Sequence, residues 1–134
     1  MGRHDTVAVM SHAKRHLHSI LMYGAAWNHA DAEKRRELLQ EAFAEDGVFV
    51  DPLDHKVGRE ELLDHMANFH RDQSGVTFEN ASGIDVHHGH HRFVWRMRSA
   101  NGEGILEARN FGQVDEAGRI TKMADFFGPP APIG

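Results

Sequence analysis

Two runs of alternating apolar residues flank the dipeptide Asn101-Gly102, and this arrangement constrains the fold more than any other feature of the sequence. Asn-Gly tolerates the positive φ angles of a two-residue type I′ turn, so it predicts a β-hairpin at this position. Counted outward from such a turn, the predicted cross-strand partners are Met97 and Leu106, Trp95 and Ala108, and Phe93 and Asn110.

This register sorts apolar and charged side chains onto opposite faces, because every second side chain of a strand shares a face. The predicted apolar face carries His91, Phe93, Trp95, Met97, Leu106, Ala108 and Asn110. The opposite face carries Arg92, Arg96, Arg98, Glu107 and Arg109. We expect the apolar face to be concave and to meet the helices. On the charged face, a ladder of ion pairs in solvent or at a subunit interface is favoured over a site for anions.

A second turn at 115–118 predicts a third strand of this meander, Ile120 to Phe127. A four-residue turn pairs Val114 with Arg119, and therefore Asn110 with Met123 and Ala108 with Asp125. The predicted inward residues of this strand are Met123, Asp125 and Phe127. A slip of one residue would instead expel Asp125 and bury Phe126.

Three helices are predicted before the sheet, at about 5–29, 31–44 and 59–71, with strands at 48–51 and 76–78 and a long one at 87–99. Asp31 is the expected N-cap of the second helix, and Gly47 its end. The first helix has an apolar stripe that consists of Leu17, Ile20, Leu21, Gly24 and Trp27 or Asn28. Histidines 4, 12, 16 and 18 are expected on its surface. This order of elements predicts one α+β domain over residues 1–134, with three N-terminal helices packed on a curved antiparallel sheet.

Composition excludes several classes of protein. A net charge of −5 disfavours a nucleic-acid footprint, and no apolar run approaches the ~20 residues needed to cross a bilayer. The chain has no cysteine, so neither disulfides nor thiol chemistry is expected, and the cytoplasm is the default location. No glycine-rich phosphate-binding loop indicates a cofactor.

The segment 87–91 contains four histidines around Gly89. On a single strand His88 and His90 share one face, while His87 and His91 share the other, so at most two ligands converge. Exposed or interface histidines are therefore favoured over a metal site, and no metal is expected. His91 differs from the rest because it falls on the face of Phe93 and Trp95, where it could act as an acid or base near neutral pH.

The segment from Ala42 to Pro52, followed by Gly58-Arg59-Glu60-Glu61, resembles the strand-and-helix signature of ketosteroid isomerases and SnoaL-like proteins of the nuclear transport factor 2-like superfamily. The ending Val114 to Ile120 with Phe126-Phe127-Gly128-Pro129 is similar to theirs as well. The resemblance covers about residues 17–130. It implies a cone-shaped α+β barrel around a ligand-sized pocket, and a homodimer.

The resemblance also implies a candidate catalytic set. Asp51 falls where the isomerases keep their general base, and Tyr23 falls near their oxyanion-hole tyrosine. Asn110 stands where they keep a protonated aspartic acid, and Asp125 resembles the last-strand carboxylate of epoxide hydrolases and some SnoaL-like cyclases. The Arg-x-Asp pair of the epoxide hydrolases is not present, which disfavours that activity.

Each candidate also has a plain structural interpretation. Asp51 could simply end a strand in a turn, Asp125 could make one structural hydrogen bond, and Tyr23 could be core. The residues expected to contact a ligand are Trp27, His91, Phe93, Trp95, Met97, Met123 and Phe127.

Two functions remain open at this point. One is cofactor-free proton transfer on a small apolar carbonyl compound, of the isomerase, cyclase or dehydratase type. The other is a non-catalytic module that binds a hydrophobic ligand or a partner.

Overall fold

A computed structural model describes the backbone of residues 2–134 and the side chains from residue 12 onward. The helices are α1 (Gly2–Asn28), α2 (Ala32–Ala42) and α3 (Arg59–Asp72). Asp31 caps α2 as predicted, since its carboxylate accepts a hydrogen bond from the backbone N–H of Glu33 at 2.9 Å. None of the helices in the described part of the chain is long and apolar enough to span a membrane.

Helix α1 buries only part of the predicted stripe: Ile20 is buried, and Trp27 is partly buried against the core. Leu17 and Leu21 are exposed, whereas His16 and Ser19 are buried together with Ile20, Tyr23 and Ala26. The Ser19 hydroxyl donates to the carbonyl of Gly118 at 2.6 Å, so the polar side of the helix faces the turn between the last two strands. The expectation of a surface position is therefore wrong for His16. His4 lies outside the residues whose side chains are described.

Seven strands form one mixed, curved and unclosed sheet against which the helices pack. They are β1 (Phe43–Val50), β2 (His55–Val57), β3 (Thr77–Asn80), β4 (Asp85–His87), β5 (His90–Arg98), β6 (Gly104–Val114) and β7 (Ile120–Phe127). Their order is β2-β1-β7-β6-β5-β3, and β4 pairs with β5. The α+β class with three N-terminal helices is confirmed. The sheet is not wholly antiparallel, because β1 runs parallel to β7.

The predicted pairing of the first hairpin is confirmed, with Met97 opposite Leu106 and Trp95 opposite Ala108. The turn itself differs from the predicted one. Only Gly102 has a positive φ, and the N–H of Ser99 bonds to the carbonyl of Glu103, so a bulge closes the hairpin in place of a two-residue type I′ turn.

The register between β6 and β7 is offset by two residues from the predicted one. Asn110 pairs with Asp125, since the ladder is interrupted by a bulge between Gln113 and Val114. A shift of two residues preserves the face of every side chain. Asp125 is consequently buried, and Phe126 is exposed.

The histidine segment is a hairpin and not part of one long strand. His88 and Gly89 have φ angles of 49° and 74°, so they form the turn between β4 and β5. His87 and His90 are cross-strand partners on its outside, while His91 is buried. This turn was missed because a histidine with positive φ is uncommon.

Gly47 lies within β1, so the prediction that it ends α2 is wrong. Phe43 pairs with Ile120 of β7, and Val48 pairs with Lys122. The β1 strand therefore has more residues between these two pairs than β7 has, and the extra residues form a bulge. A Cβ on Gly47 would lie 2.5 Å from Cε1 of the Phe43 ring. The glycine therefore lets the bulge fold back under a fully buried aromatic side chain.

We expect Gly47→Ala to lower the free energy of unfolding by about 1–3 kcal/mol, because the added methyl group overpacks the Phe43 ring. Urea denaturation followed by circular dichroism measures the change. Gly83→Ala is the matched control, since a Cβ there meets no atom within 4 Å. Equal stabilities for the two variants would contradict this account of the bulge.

Candidate functional site

A cavity of about 360 Å³ lies between the concave face of the sheet and the helices. Its volume falls at the small end of the range for small-molecule sites. Eight of its lining side chains are those of Phe, Tyr or Trp, namely Tyr23, Trp27, Phe49, Phe69, Phe78, Phe93, Trp95 and Phe127. The rings of Trp27 and Phe78 are 5.3 Å apart and those of Phe78 and Trp95 are 5.5 Å apart, so they pack as a continuous cluster.

The carboxyl group of Asp125 is the central polar group of this wall. Its Oδ1 accepts two hydrogen bonds of 2.8 Å, one from Trp95 Nε1 and one from Asn110 Nδ2. Burial raises the pKa of Asp125 to about 6, the two donors oppose this rise, and the charge of Asp51 adds to it. A carboxyl group with this pKa is present in both protonation states near neutral pH.

Asn110 is linked behind the wall to two buried histidines. Asn110 Oδ1 lies 3.0 Å from His91 Nε2, and His91 Nδ1 lies 2.8 Å from His16 Nε2. Burial lowers the pKa of His91 and of His16 to about 4, so both rings are neutral at pH 7. His91 is therefore not ionised in the range where a histidine usually exchanges protons.

The hydroxyl group of Tyr23 is buried and has no hydrogen-bond partner among the residues whose side chains are described. Tyr23 lines the cavity and its ring stacks on Phe43. Burial, followed by the charge of Asp125, raises its pKa well above 10, so the hydroxyl keeps its proton. A buried donor without an acceptor favours a ligand oxygen as its missing partner.

Asp51 lies at a second, more open pole of the cavity, where β1 ends. Its Oδ1 accepts hydrogen bonds from the backbone N–H groups of Leu53 and Asp54, at 2.8 and 2.7 Å. Asp54 and His65 line the same pole, and one ligand atom from each of the three side chains lies within 4.8 Å of the others. Neither Asp54 nor His65 was singled out from the sequence, because 51–54 and 59–72 are different elements with no motif that joins them.

Residues 21–123 match the model of the SnoaL-like domain family. The chain belongs to the SnoaL-like family. A SnoaL-like protein of Agrobacterium tumefaciens, described as a candidate isomerase, is 30% identical and aligns over 87% of this chain and 99% of its own, with a TM-score of 0.80.

More distant structures share the fold of this SnoaL-like domain. A candidate polyketide cyclase of Sinorhizobium meliloti is 18% identical, with a TM-score of 0.64 over 80% of this chain and 92% of its own. An LEH-like epoxide hydrolase of M. tuberculosis is 16% identical, with a TM-score of 0.63 over 86% and 84%. No curated protein sequence matches the chain significantly.

The SnoaL-like domain brings the four candidate catalytic side chains, Asp51, Tyr23, Asn110 and Asp125, to one cavity. Of the residues expected to contact a ligand, Trp27, Phe93, Trp95, Met97 and Phe127 also line it. His91 and Met123 do not, since both are buried behind the wall, where Met123 Sδ lies 3.2 Å from His91 Nε2.

The outer face of the sheet carries the expected ladder of ion pairs. Arg98 contacts Glu79 at 2.6 Å, and Arg96 contacts both Glu79 and Glu107 at 3.3 Å. Arg92 contacts Asp85 at 2.8 Å. The guanidinium groups are thus satisfied by carboxylates of neighbouring strands, and they do not converge on a site for an anion.

We expect acid to destabilise the domain through the buried histidines. The ordinary pKa of 6.5 applies to the unfolded chain, whereas His16 in the folded chain has a pKa of about 4. The unfolded chain therefore binds more protons between these values, and the free energy of unfolding falls as the pH falls through this window. His16→Gln should reduce the loss between pH 7.5 and pH 5, measured by urea denaturation, by about 1–2 kcal/mol.

His18→Gln serves as the control, because His18 lies on the same helix with an exposed side chain. Asp125 acts in the opposite direction: its raised pKa stabilises the folded chain as the pH falls through about 6. That contribution is common to wild type and His18→Gln and cancels between them. His16 is linked to Asp125 through His91 and Asn110, so the pKa of Asp125 is measured in His16→Gln as well and any difference is subtracted. The same pH dependence in wild type and His16→Gln would show that the imidazole does not titrate as described.

Proposed function

We propose that this SnoaL-like domain catalyses cofactor-free proton transfer on a small, mostly apolar carbonyl compound, as an isomerase, cyclase or dehydratase. The observation that carries the proposal is the Asp125 carboxyl group. It is buried in an apolar cavity, has a pKa of about 6, and shares the cavity with a second carboxylate, Asp51. Two carboxyl groups in unequal surroundings are suited to opposite roles as acid and base.

The proposed reaction begins when Asp51 removes a proton from the carbon next to the substrate carbonyl. The electrons of the broken C–H bond form a C=C bond, and the carbonyl π electrons move to the oxygen, giving an enolate. In a substrate with a C=C bond at the β,γ position, this enolate is conjugated with that bond. The protonated form of Asp125 then donates its proton to the γ carbon, the enolate oxygen reforms the carbonyl, and the C=C bond moves to the α,β position, which completes an isomerisation. Exchange with solvent returns both carboxyl groups to their starting states.

Tyr23 is the proposed donor to the enolate oxygen. Its hydroxyl is buried, protonated and without an acceptor in the described part of the protein, so a bound oxyanion would satisfy it. The Asn110 amide is already bonded to His91 and Asp125, which supports a role in holding Asp125 alongside the oxyanion role expected from the resemblance.

A panel of flat, apolar phenols tests the proposal, since a phenolate mimics the enolate. We expect the protein to bind the ionised form. Asp51→Asn should tighten phenolate binding about tenfold by removing a like charge, and Tyr23→Phe should weaken it about tenfold by removing a charge-assisted hydrogen bond. Ultraviolet absorbance measures phenol ionisation, and the fluorescence of Trp27 and Trp95 measures occupancy.

Asp64→Asn is the charge-matched control, because Asp64 is exposed and does not line the cavity. If phenols bind in the neutral form, and neither Asp51→Asn nor Tyr23→Phe changes their affinity, the proton-transfer function is wrong. The pocket would then be a hydrophobic holder, as in the alternative of a binding module.

We also infer a homodimer formed through the outer face of the sheet. Two apolar rings interrupt its ion-pair ladder: Phe126 is 62% exposed and Phe111 is 42% exposed. They pack edge to face with ring centroids 5.9 Å apart. An exposed aromatic pair beside arginine residues has the composition of an interface core and its rim.

We expect sedimentation velocity at tens of micromolar to give a dimer, and Phe126→Asp to give a monomer, because a charge would be buried without a partner. Leu53→Asp is the control, since Leu53 is 80% exposed but lies at the open pole of the cavity. A wild-type monomer at this concentration would remove the inference.

A further inference from the structure

We propose that His91, supported by His16, is a positioning residue that turns the Asn110 amide so that its N–H, and not its oxygen, faces Asp125. The proposal rests on the proposed function only in giving Asp125 a role in catalysis. The contacts that support it are those of the free protein.

An asparagine amide has a donor end and an acceptor end that are nearly equal in size, so its neighbours decide its orientation. Both ends of Asn110 are engaged, one by Asp125 at 2.8 Å and the other by His91 at 3.0 Å. The oxygen of Asn110 can only accept, so His91 Nε2 must carry a proton. A neutral His91 then has a bare Nδ1, which accepts from the Nε2–H of His16 at 2.8 Å.

His16 is the buried end of this series of hydrogen bonds, and its surroundings support the same direction of donation. His16 Nδ1 is buried and has no hydrogen-bond partner within the part of the chain that is described. In the direction described it is an unprotonated acceptor. If the amide were reversed, His91 would donate through Nδ1 and His16 through its own Nδ1, which would leave a buried N–H without an acceptor. A buried donor without a partner is rarer than an unused acceptor, so the unpartnered nitrogen favours the first direction.

The strand beside His91 is built to admit the ring. Gly112 pairs with His91 across β5 and β6, and a Cβ on Gly112 would lie 2.5 Å from both Cε1 and Nε2 of the imidazole. The same Cβ would lie 2.4 Å from the backbone carbonyl oxygen of Lys122, so both neighbours exclude a side chain here. The glycine therefore makes room for that carbonyl and for the imidazole nitrogen that contacts the Asn110 oxygen.

The orientation of the Asn110 amide affects the pKa of Asp125, together with the other groups around that carboxyl group. Asp51 and the Tyr23 hydroxyl face it across the cavity, and Trp95 and Asn110 are its donors. Near the histidine pair the titratable neighbours are His12 and His90. With the amide fixed, its N–H favours the carboxylate form. With the amide free to turn, its oxygen would repel that form and favour the acid.

The first experiment measures histidine tautomers in the wild-type, ligand-free protein at pH 7, by long-range ¹H–¹⁵N NMR. We expect the Nε2–H tautomer for both His16 and His91. An Nδ1–H tautomer at His91 would overturn the proposal without any variant having to fold.

The second experiment measures the pKa of Asp125 by ¹³C NMR of its carboxyl carbon. His91→Phe removes the donor but keeps a ring, and should raise that pKa by about one pH unit. His91→Gln restores an N–H donor and should leave it near the wild-type value. His90→Phe, an exposed neighbour on the other face of β5, is the control.

A double-variant comparison separates positioning from packing. In an Asn110→Leu background, His91→Phe should no longer move the pKa of Asp125, because there is no amide to turn. A shift that persists in that background, or one equally large in His91→Gln, would mean that His91 acts only through packing. Failure of the phenolate titration would leave these results unchanged, so the two proposals fail independently.

Discussion

The burial of one carboxyl group, that of Asp125, is the constraint on which the rest of the site depends. An ionised carboxylate in an apolar cavity is strongly unfavourable unless donors reach it. Trp95 and Asn110 both donate to Oδ1, and no donor among the described side chains reaches Oδ2. The group is thus stabilised enough to ionise near neutral pH and remains basic enough to bind a proton there. With more donors it would be a permanent anion, and with none it would stay an acid.

Three adjacent strands of the sheet supply the residues that set this balance between the ionised and the protonated form of Asp125. β5 contributes Trp95 and His91, β6 contributes Asn110, and β7 contributes Asp125, which pairs directly with Asn110. Such pairing fixes the distance between the amide and the carboxyl group through backbone hydrogen bonds, which are rigid compared with side-chain rotamers. Helix α1 contributes His16, which adds the last hydrogen bond of this network, to His91, from the helix side. The polar network therefore ties the helix layer to the sheet at the depth of the cavity.

The sequence predicts which side chains lie on the apolar face of the sheet better than it predicts the register between strands, for a physical reason. A bulge before Val114 shifted the pairing of β7 by two residues, yet Asp125 stayed inward because the faces of a strand repeat every two residues. His16 was missed because a helical stripe read from apolar residues alone ignores a polar residue whose partner, His91, lies 75 positions away. The parallel contact of β1 with β7 was missed for the same reason: local patterns carry no information about which distant strands meet.

The two interpretations of Asp51, as a turn residue and as a pocket carboxylate, are compatible. Its Oδ1 accepts both backbone N–H groups of the turn, and this fixes the rotamer of the side chain. A base held in one rotamer loses little conformational freedom when it meets a substrate, which is a condition for efficient proton transfer. The turn thus holds the Asp51 side chain in a fixed position, which the proposed role of its second oxygen, Oδ2, in the cavity requires. Asp51 lies at the open pole with backbone donors, whereas Asp125 lies at the closed pole with side-chain donors, and this asymmetry distinguishes two chemically identical groups.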